Sequence, residues 1–373
     1  MSIFEDMMTA AEETQALPST TTMAPTATMP VMVAKRCMRH LHQASSCKRC
    51  LEACPSDALR IVDGQLKLHV PACTGCGFCA SVCPTEGLLM PTPDVTTETQ
   101  AYAAAKASGT LVVSCADCAK KRGLTVPCLH SLDFSRLVDA VAKGVTTIEL
   151  VRGNCDKCPK CIPGTSLIDT CQTLEAFAGQ FEKTLSVVLE TSTKDVDLSR
   201  RRFFGGLLRR ADIGTKPASP DVVADVKATA TETSQRLPAS RERLVEALRT
   251  LSSGHTEALD TSGAARFFVA PVIEQTACTA CGICAEVCPT KALTMETGEK
   301  TVLLKAIKAH CIGCGLCSDV CYRYAVTIAP VKRMAQLLEE KPDVIMAKLK
   351  GEDAYSTWED RLGSMVDAPV YRT

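Results

Sequence analysis

Eight cysteines between Cys278 and Cys321 carry one spacing twice: C-T-A-C-G-I-C-A-E-V-C-P and, after a spacer, C-I-G-C-G-L-C-S-D-V-C. A C-x2-C-x2-C-x3-C run lets three thiolates close on one face of an iron–sulfur cubane, while its fourth thiolate reaches across to a neighbouring cluster. By that rule Cys278, Cys281, Cys284 and Cys321 hold one 4Fe–4S cluster, and Cys311, Cys314, Cys317 and Cys288 hold a second. The chemistry implied is the transfer of single electrons. Gly75, Gly77, Gly282, Gly313 and Gly315 let backbone N–H groups approach the sulfurs, and Phe78, Ile283 and Leu316 shield the clusters from water. Pro55, Pro84 and Pro289 follow the last cysteine of their runs; the final run has Tyr322 there.

The same plan stands nearer the N-terminus with one ligand displaced. Cys73, Cys76, Cys79 and Cys83 form a full run, whereas Cys47, Cys50 and Cys54 lack the leading cysteine, whose place is taken by Ala44. Cys37, further upstream, is the expected replacement; the bland alternative is an idle thiol. Cys73, Cys76, Cys79 and Cys54 would then share one cluster, and Cys37, Cys47, Cys50 and Cys83 another. Between the two runs, alternating apolar residues flank Asp63-Gly64, a hairpin signal. A-L-T-M-E-T-G-E-K-T-V-L-L, between Cys288 and Cys311, repeats that design. Motif, hairpin and motif therefore occur twice, an internal duplication. Modules this small draw much of their folding free energy from cluster ligation.

Residues 94–190 change character. Strands are expected at Leu111–Val113, Val145–Val151 and Leu185–Leu189. Between them fall a helix after Ser131, closed by Gly144, and a helix marked by Leu167, Ile168, Cys171, Leu174, Ala178 and Phe181. This β-α-β-α-β order predicts a small parallel sheet. Cys115 and Cys118 follow the first strand and Cys155, Cys158 and Cys161 the second, the edge where open parallel sheets bind ligands. Cys128 could join them: an additional Fe–S cluster would take Cys155, Cys158, Cys161 and one of Cys115, Cys118 or Cys128, a zinc site with two C-x2-C pairs is the main rival, and a thiol–disulfide pair is the third reading. Cys171 follows the apolar face of its helix and reads as a core thiol.

The predicted organisation is a flexible Thr/Pro-rich arm at 1–34, a first module at 35–93, the α/β domain at 94–190, a linker with short helices at 191–270, a second module at 271–330, and a helix and tail at 331–373. Arg241–Leu251 is expected to be helical, as is 331–350, on the apolar spacing of Met334, Leu337, Leu338, Val344, Ile345 and Leu349. Ile3–Met8 reads as a frayed terminus, with a docking peptide as the functional alternative. Ser199-Arg200-Arg201-Arg202-Phe203-Phe204 has the look of a twin-arginine export signal but lies deep in the chain, before a short basic stretch, and reads as a solvated basic segment.

Composition narrows the function classes. Lys+Arg and Asp+Glu both number 42, so no net field favours nucleic acid or an anionic membrane, and a single tryptophan, Trp358, offers little for base stacking. The 23 cysteines, odd in number and mostly in C-x2-C steps, suit metal rather than disulfides and imply a reducing, cytoplasmic compartment. No apolar run reaches the roughly 20 residues of a membrane span. The histidines (His40, His42, His69, His130, His255, His310) form no H-E-x-x-H pair, and neither a Walker loop nor G-x-G-x-x-G is present.

The cysteine runs resemble those of bacterial-type 8Fe–8S ferredoxins, and their multiplicity resembles polyferredoxin subunits of anaerobic oxidoreductases. The S-R-R-R-F-F segment ahead of the second module is similar to that of the cytoplasmic ferredoxin-type protein associated with periplasmic nitrate reductase. The middle segment resembles the iron–sulfur delta subunit of hydrogenases linked to heterodisulfide reductase, which implies a cluster there. The expected fold is α+β, two bacterial two-cluster ferredoxin-like modules flanking a small parallel-sheet α/β domain. The expected cofactors are four 4Fe–4S clusters and an additional Fe–S or zinc centre. The expected function is single-electron transfer to or from a redox partner such as a dehydrogenase, reductase or hydrogenase subunit. A maturation factor for a molybdenum or other metalloenzyme is the alternative, and a thiol/disulfide enzyme subunit the second.

Overall fold

A computed structural model describes residues 29–91, 95–160, 167–192, 237–252 and 267–349. The expectations for the arm up to residue 28, for Cys161, for Ser199–Phe204 and for the tail from residue 350 lie outside these residues.

The N-terminal module is built from four short strands. β1 (Val31–Met32) pairs antiparallel with β4 (Leu88–Leu89), and β2 (Leu59–Val62) with β3 (Gln65–Leu68). The hairpin turns at Asp63 (φ 51°) and Gly64 (φ 75°); two successive left-handed residues make the turn whose twist matches paired strands. Met32, Leu59, Leu66 and Leu88 form its small core beside Cys79. Val31–Met32, counted with the arm on composition, is thus part of the module's first sheet.

The C-terminal module repeats the design with longer strands. β9 (Val269–Ile273) pairs with β12 (Val326–Pro330), and β10 (Leu293–Thr297) with β11 (Thr301–Ala306), all antiparallel. β13 (Asp343–Leu349) adds to β11, giving the order β10-β11-β13. This corrects the helix expected over 331–350: only Met334–Leu338 is helical. Pro342 cannot continue a helix, and beyond it Val344 and Ile345 favour an extended chain. Met346 then turns inward beneath the hairpin and is fully buried.

Between the modules lies a four-stranded, wholly parallel sheet in the order β6-β5-β7-β8, from β5 (Thr110–Cys115), β6 (Leu124–Val126), β7 (Thr147–Arg152) and β8 (Ser186–Thr191). Three of these strands are the expected ones and β6 is additional. The tight return from β5 to β6 requires Gly123, at φ 60°, where a Cβ would stand 2.1 Å from the Val112 carbonyl oxygen. Helices Val95–Ser108, Phe134–Ala142 and Leu167–Gly179 complete the domain. The second is capped by Asp133, whose carboxylate accepts from Ser135 N at 2.6 Å, rather than by Ser131.

Helix Ala239–Leu251, placed by sequence in a linker, is a core element: Leu244, Ala247, Leu248 and Leu251 pack with Leu137, Val141 and Phe177. Phe268, Val331, Met334 and Leu337, from the C-terminal module and its flank, enter the same core. Phe134 stacks on Phe267 with centroids 4.0 Å apart. The parallel-sheet core therefore takes in the edge of the C-terminal module, whose own core is a separate cluster around Leu293, Val302, Leu304 and Met346.

Candidate metal centres

Three of the four cysteine runs fold into the same small device, and the run at Cys47 departs from it, its helix Arg49–Glu52 starting after Lys48 at φ −140°. Short helices Phe78–Ser81, Ile283–Glu286 and Leu316–Asp319 start immediately after left-handed Gly77, Gly282 and Gly315. Three residues past the last cysteine of each run comes a left-handed non-glycine residue: Asp57, Glu86, Lys291 and Tyr324, with φ between 49° and 54°. That turn aims a backbone N–H back at the sulfur: Ala58 N donates to Cys54 Sγ at 3.3 Å, Gly87 N to Cys83 Sγ at 3.2 Å and Ala325 N to Cys321 Sγ at 3.3 Å. Such donors stabilise an anionic sulfur and tune a cluster bound to it. Ser56, Thr85 and Thr290 bring a hydroxyl to 3.6–3.8 Å of Cys54, Cys83 and Cys288. The final run has Arg323 in that place, and Tyr322 Oη instead lies 3.1 Å from Thr279 Oγ1.

The thiols gather in four sets. Cys37 is pushed up by burial, with Cys83 and Cys47 as neighbours. Cys50 is pushed up to about 12 by burial and by Cys83, Cys47 and Cys37. Cys73 is raised by burial, and by Cys76 and Cys54 near it; Cys79 is raised by burial, with Cys76, Cys50, Cys54 and Cys73 around it. In the C-terminal module Cys284 rises to about 12 through burial and through Cys281, Cys278 and Cys321. Cys314 rises to about 12 through burial and through Cys288 and Cys311, and Cys317 rises through burial beside Cys314, Cys311, Cys284 and Cys288. Cys50 beside Cys79, and Cys284 beside Cys317, mark where the two sets of a module face each other.

Free thiols held this far above their ordinary range are protonated at neutral pH, a state that burial favours and that metal binding reverses. The set at Cys278, Cys281, Cys284 and Cys321 lines a cavity walled by Ile283, Met295, Leu304, Val326 and Met346.

The two modules meet along their cysteine runs. Arg49, between Cys47 and Cys50, donates from Nη2 to the carbonyl of Gly313, between Cys311 and Cys314, at 2.6 Å. Ser46 donates from N and Oγ to the two carboxylate oxygens of Asp319 at 2.8 and 2.7 Å. Gly313 (φ 63°) is confined by this packing, since a Cβ there would stand 2.6 Å from Val269 Cγ2.

At the edge of the parallel sheet, Cys115 ends β5 and accepts from Gly153 N at 3.3 Å, with Cys118 buried close by. Cys128, a candidate addition by sequence, is half-buried beside His130. Its thiol is pushed up to about 11 by burial and by Cys76, Cys158 and Cys115. It thus stands between the middle-domain thiols and the N-terminal module. His130, whose Nδ1 is 3.6 Å from Cys128 Sγ, packs its ring against Phe78 at 5.7 Å. Cys155 and Cys158 flank a single turn after β7. Cys171 packs against the apolar core as expected.

Arg241 is the other residue that sequence reasoning missed. Only 6% exposed, it donates Nε to Ala309 O at 2.8 Å, Nη1 to Phe267 O at 2.9 Å and Nη2 to Lys308 O at 3.3 Å. Burial lowers it to about 10, still cationic at neutral pH, and the neighbouring Cys311 opposes that shift.

Compared with protein families, residues 45–87 and residues 277–326 each match a 4Fe-4S dicluster domain. Comparison with curated proteins and with solved structures finds no match. The chain therefore carries two dicluster ferredoxin domains, one before and one after the parallel-sheet segment in the sequence, and is an iron–sulfur electron-transfer protein whose cofactors are four 4Fe–4S clusters. No helix among the described residues is long and apolar enough to cross a membrane.

Proposed function

We propose that this chain is a polyferredoxin-type subunit or shuttle that passes single electrons to or from an anaerobic oxidoreductase. The ligand sets are Cys37, Cys47, Cys50 and Cys83; Cys54, Cys73, Cys76 and Cys79; Cys288, Cys311, Cys314 and Cys317; and Cys278, Cys281, Cys284 and Cys321. What supports this reading is that thiols distant in sequence are neighbours: Cys37 and Cys50 have Cys83 and Cys47 beside them, Cys73 and Cys79 have Cys54, Cys284 has Cys321, and Cys317 has Cys288. A bound cubane supplies reversible one-electron chemistry. The chain's own part is to bury the thiolates, aim N–H groups at their sulfurs and bring the sets within reach of one another.

Cys115, Cys118, Cys128, Cys155, Cys158 and Cys161 supply an additional Fe–S or zinc centre adjoining the Cys76 side of the first module. Support comes from Cys128, which neighbours Cys76, Cys158 and Cys115 at once. The outer partner is a redox protein such as a dehydrogenase, reductase or hydrogenase subunit. Iron and acid-labile sulfide analysis of anaerobically purified protein should give roughly sixteen irons for the four cubanes. Zinc, or iron in excess of that, reports the additional centre. A total near eight irons, or reduced protein without EPR signals from coupled cubanes, would refute the four-centre carrier.

A further inference from the structure

We propose that the centre held by Cys288, Cys311, Cys314 and Cys317 is the most oxidising of the four and collects electrons where the two modules meet, because Arg241 and Arg49 bracket it with two cations. The proposal rests on the ligand sets given above.

Arg241 carries the first half of the argument. A buried cation is unfavourable unless an opposite charge compensates it. The three acceptors of Arg241 are neutral carbonyls, two of them on Lys308 and Ala309, the residues leading into Cys311. Among the described residues it forms no ion pair with a carboxylate. A cubane with four thiolates has net negative charge, and at Cys311 it supplies the missing counter-charge. Burying Arg241 against this segment is then understandable as a feature of the loaded protein.

Arg49 carries the second half. Its guanidinium reaches out of the N-terminal module to the Gly313 carbonyl, and its charge acts on Cys311 and Cys314. Reduction adds one negative charge to a centre, so nearby cations favour the reduced state and raise the potential. Arg49 also lies between Cys47 and Cys50, at the facing centre of the other module. With centres bound at both sets, Arg241, which is particular to the Cys311 side, would bias a single electron from Cys37, Cys47, Cys50 and Cys83 toward Cys288, Cys311, Cys314 and Cys317; the one centre would be oxidised as the other is reduced, with no bond formed or broken. Ser46 and Asp319 hold the two faces in register beside this crossing.

The test is an EPR-monitored redox titration of anaerobically purified full-length protein, with iron counted in every sample. Cys317→Ser should remove the highest-potential step and leave the lower steps. Arg49→Gln should move that step and one further step to lower potential, and Arg49→Lys should restore both. Arg241→Gln should lower the highest step alone. If Arg241→Gln fails to load iron, the Arg49 pair decides the matter. The proposal is overturned if the highest step survives Cys317→Ser, or if Arg49→Gln at full iron content leaves it in place. A wild-type iron count far below about sixteen overturns the four-centre reading itself, a result separate from either of these.

Discussion

Cys37 is where the ligand assignment is most exposed to test. Its backbone is fixed independently of its thiol: the Cys37 carbonyl accepts from His40 N and Leu41 N at 3.0 Å each. Its Cα packs against the turn after Cys83, only 3.0 Å from where a Cβ on Gly87 would stand. Cys37→Ser therefore removes the sulfur and little else. A centre reduced to three thiolates has one open iron, which is labile, so the variant should lose between about one and four of roughly sixteen irons, with matching loss of sulfide in the extreme case. The other centres should keep their reduced-state EPR signals. Cys171→Ser, which alters a thiol packed on the apolar core, is the control and should retain all iron. Full iron and an unchanged spectrum in Cys37→Ser would refute the substitution of Cys37 for the missing ligand at Ala44.

Further outcomes follow from packing and charge. Gly313→Ala forces a side chain into a left-handed position 2.6 Å from Val269 Cγ2, and should destabilise the holoprotein by about 1–3 kcal/mol in thermal or denaturant unfolding. Phe134→Ala removes the ring stacked on Phe267 and should cost about 3–5 kcal/mol, read by chemical denaturation with near-UV dichroism. Tyr102 is raised to about 12 from the ordinary tyrosine value of 10.0 by burial. Its unfolded form therefore ionises first, so its contribution to stability is full below pH 10 and is lost as pH rises through about 12. Tyr102→Phe should flatten that alkaline loss relative to wild type, and parallel alkaline unfolding curves would contradict it. Chelation of iron should melt the N-terminal module before the parallel sheet, because the module's apolar core is only Met32, Leu59, Leu66 and Leu88 around Cys79. Hydrogen exchange can check that order.

The sequence by itself determined what is local. A cysteine run, its glycines and its following turn act over a dozen residues, so the two duplicated modules, the Asp63-Gly64 hairpin and the cluster chemistry were legible from spacing. So was the parallel character of the middle domain, since alternating strand and helix periods leave few topologies. What tertiary structure decided is everything that depends on distant segments sharing a surface. Asp343–Leu349 carries apolar residues compatible with more than one period, and becomes a strand because the edge of β11 is there to receive it. Ala239–Leu251 looks like an isolated amphipathic helix, yet its apolar face completes the core beneath the parallel sheet. Arg241 and Arg49 are ordinary arginines in the sequence. They acquire meaning only because folding buries Arg241 beside Cys311, where low dielectric gives a charge leverage it lacks in water, and sets the exposed Arg49 against Gly313, where proximity alone acts.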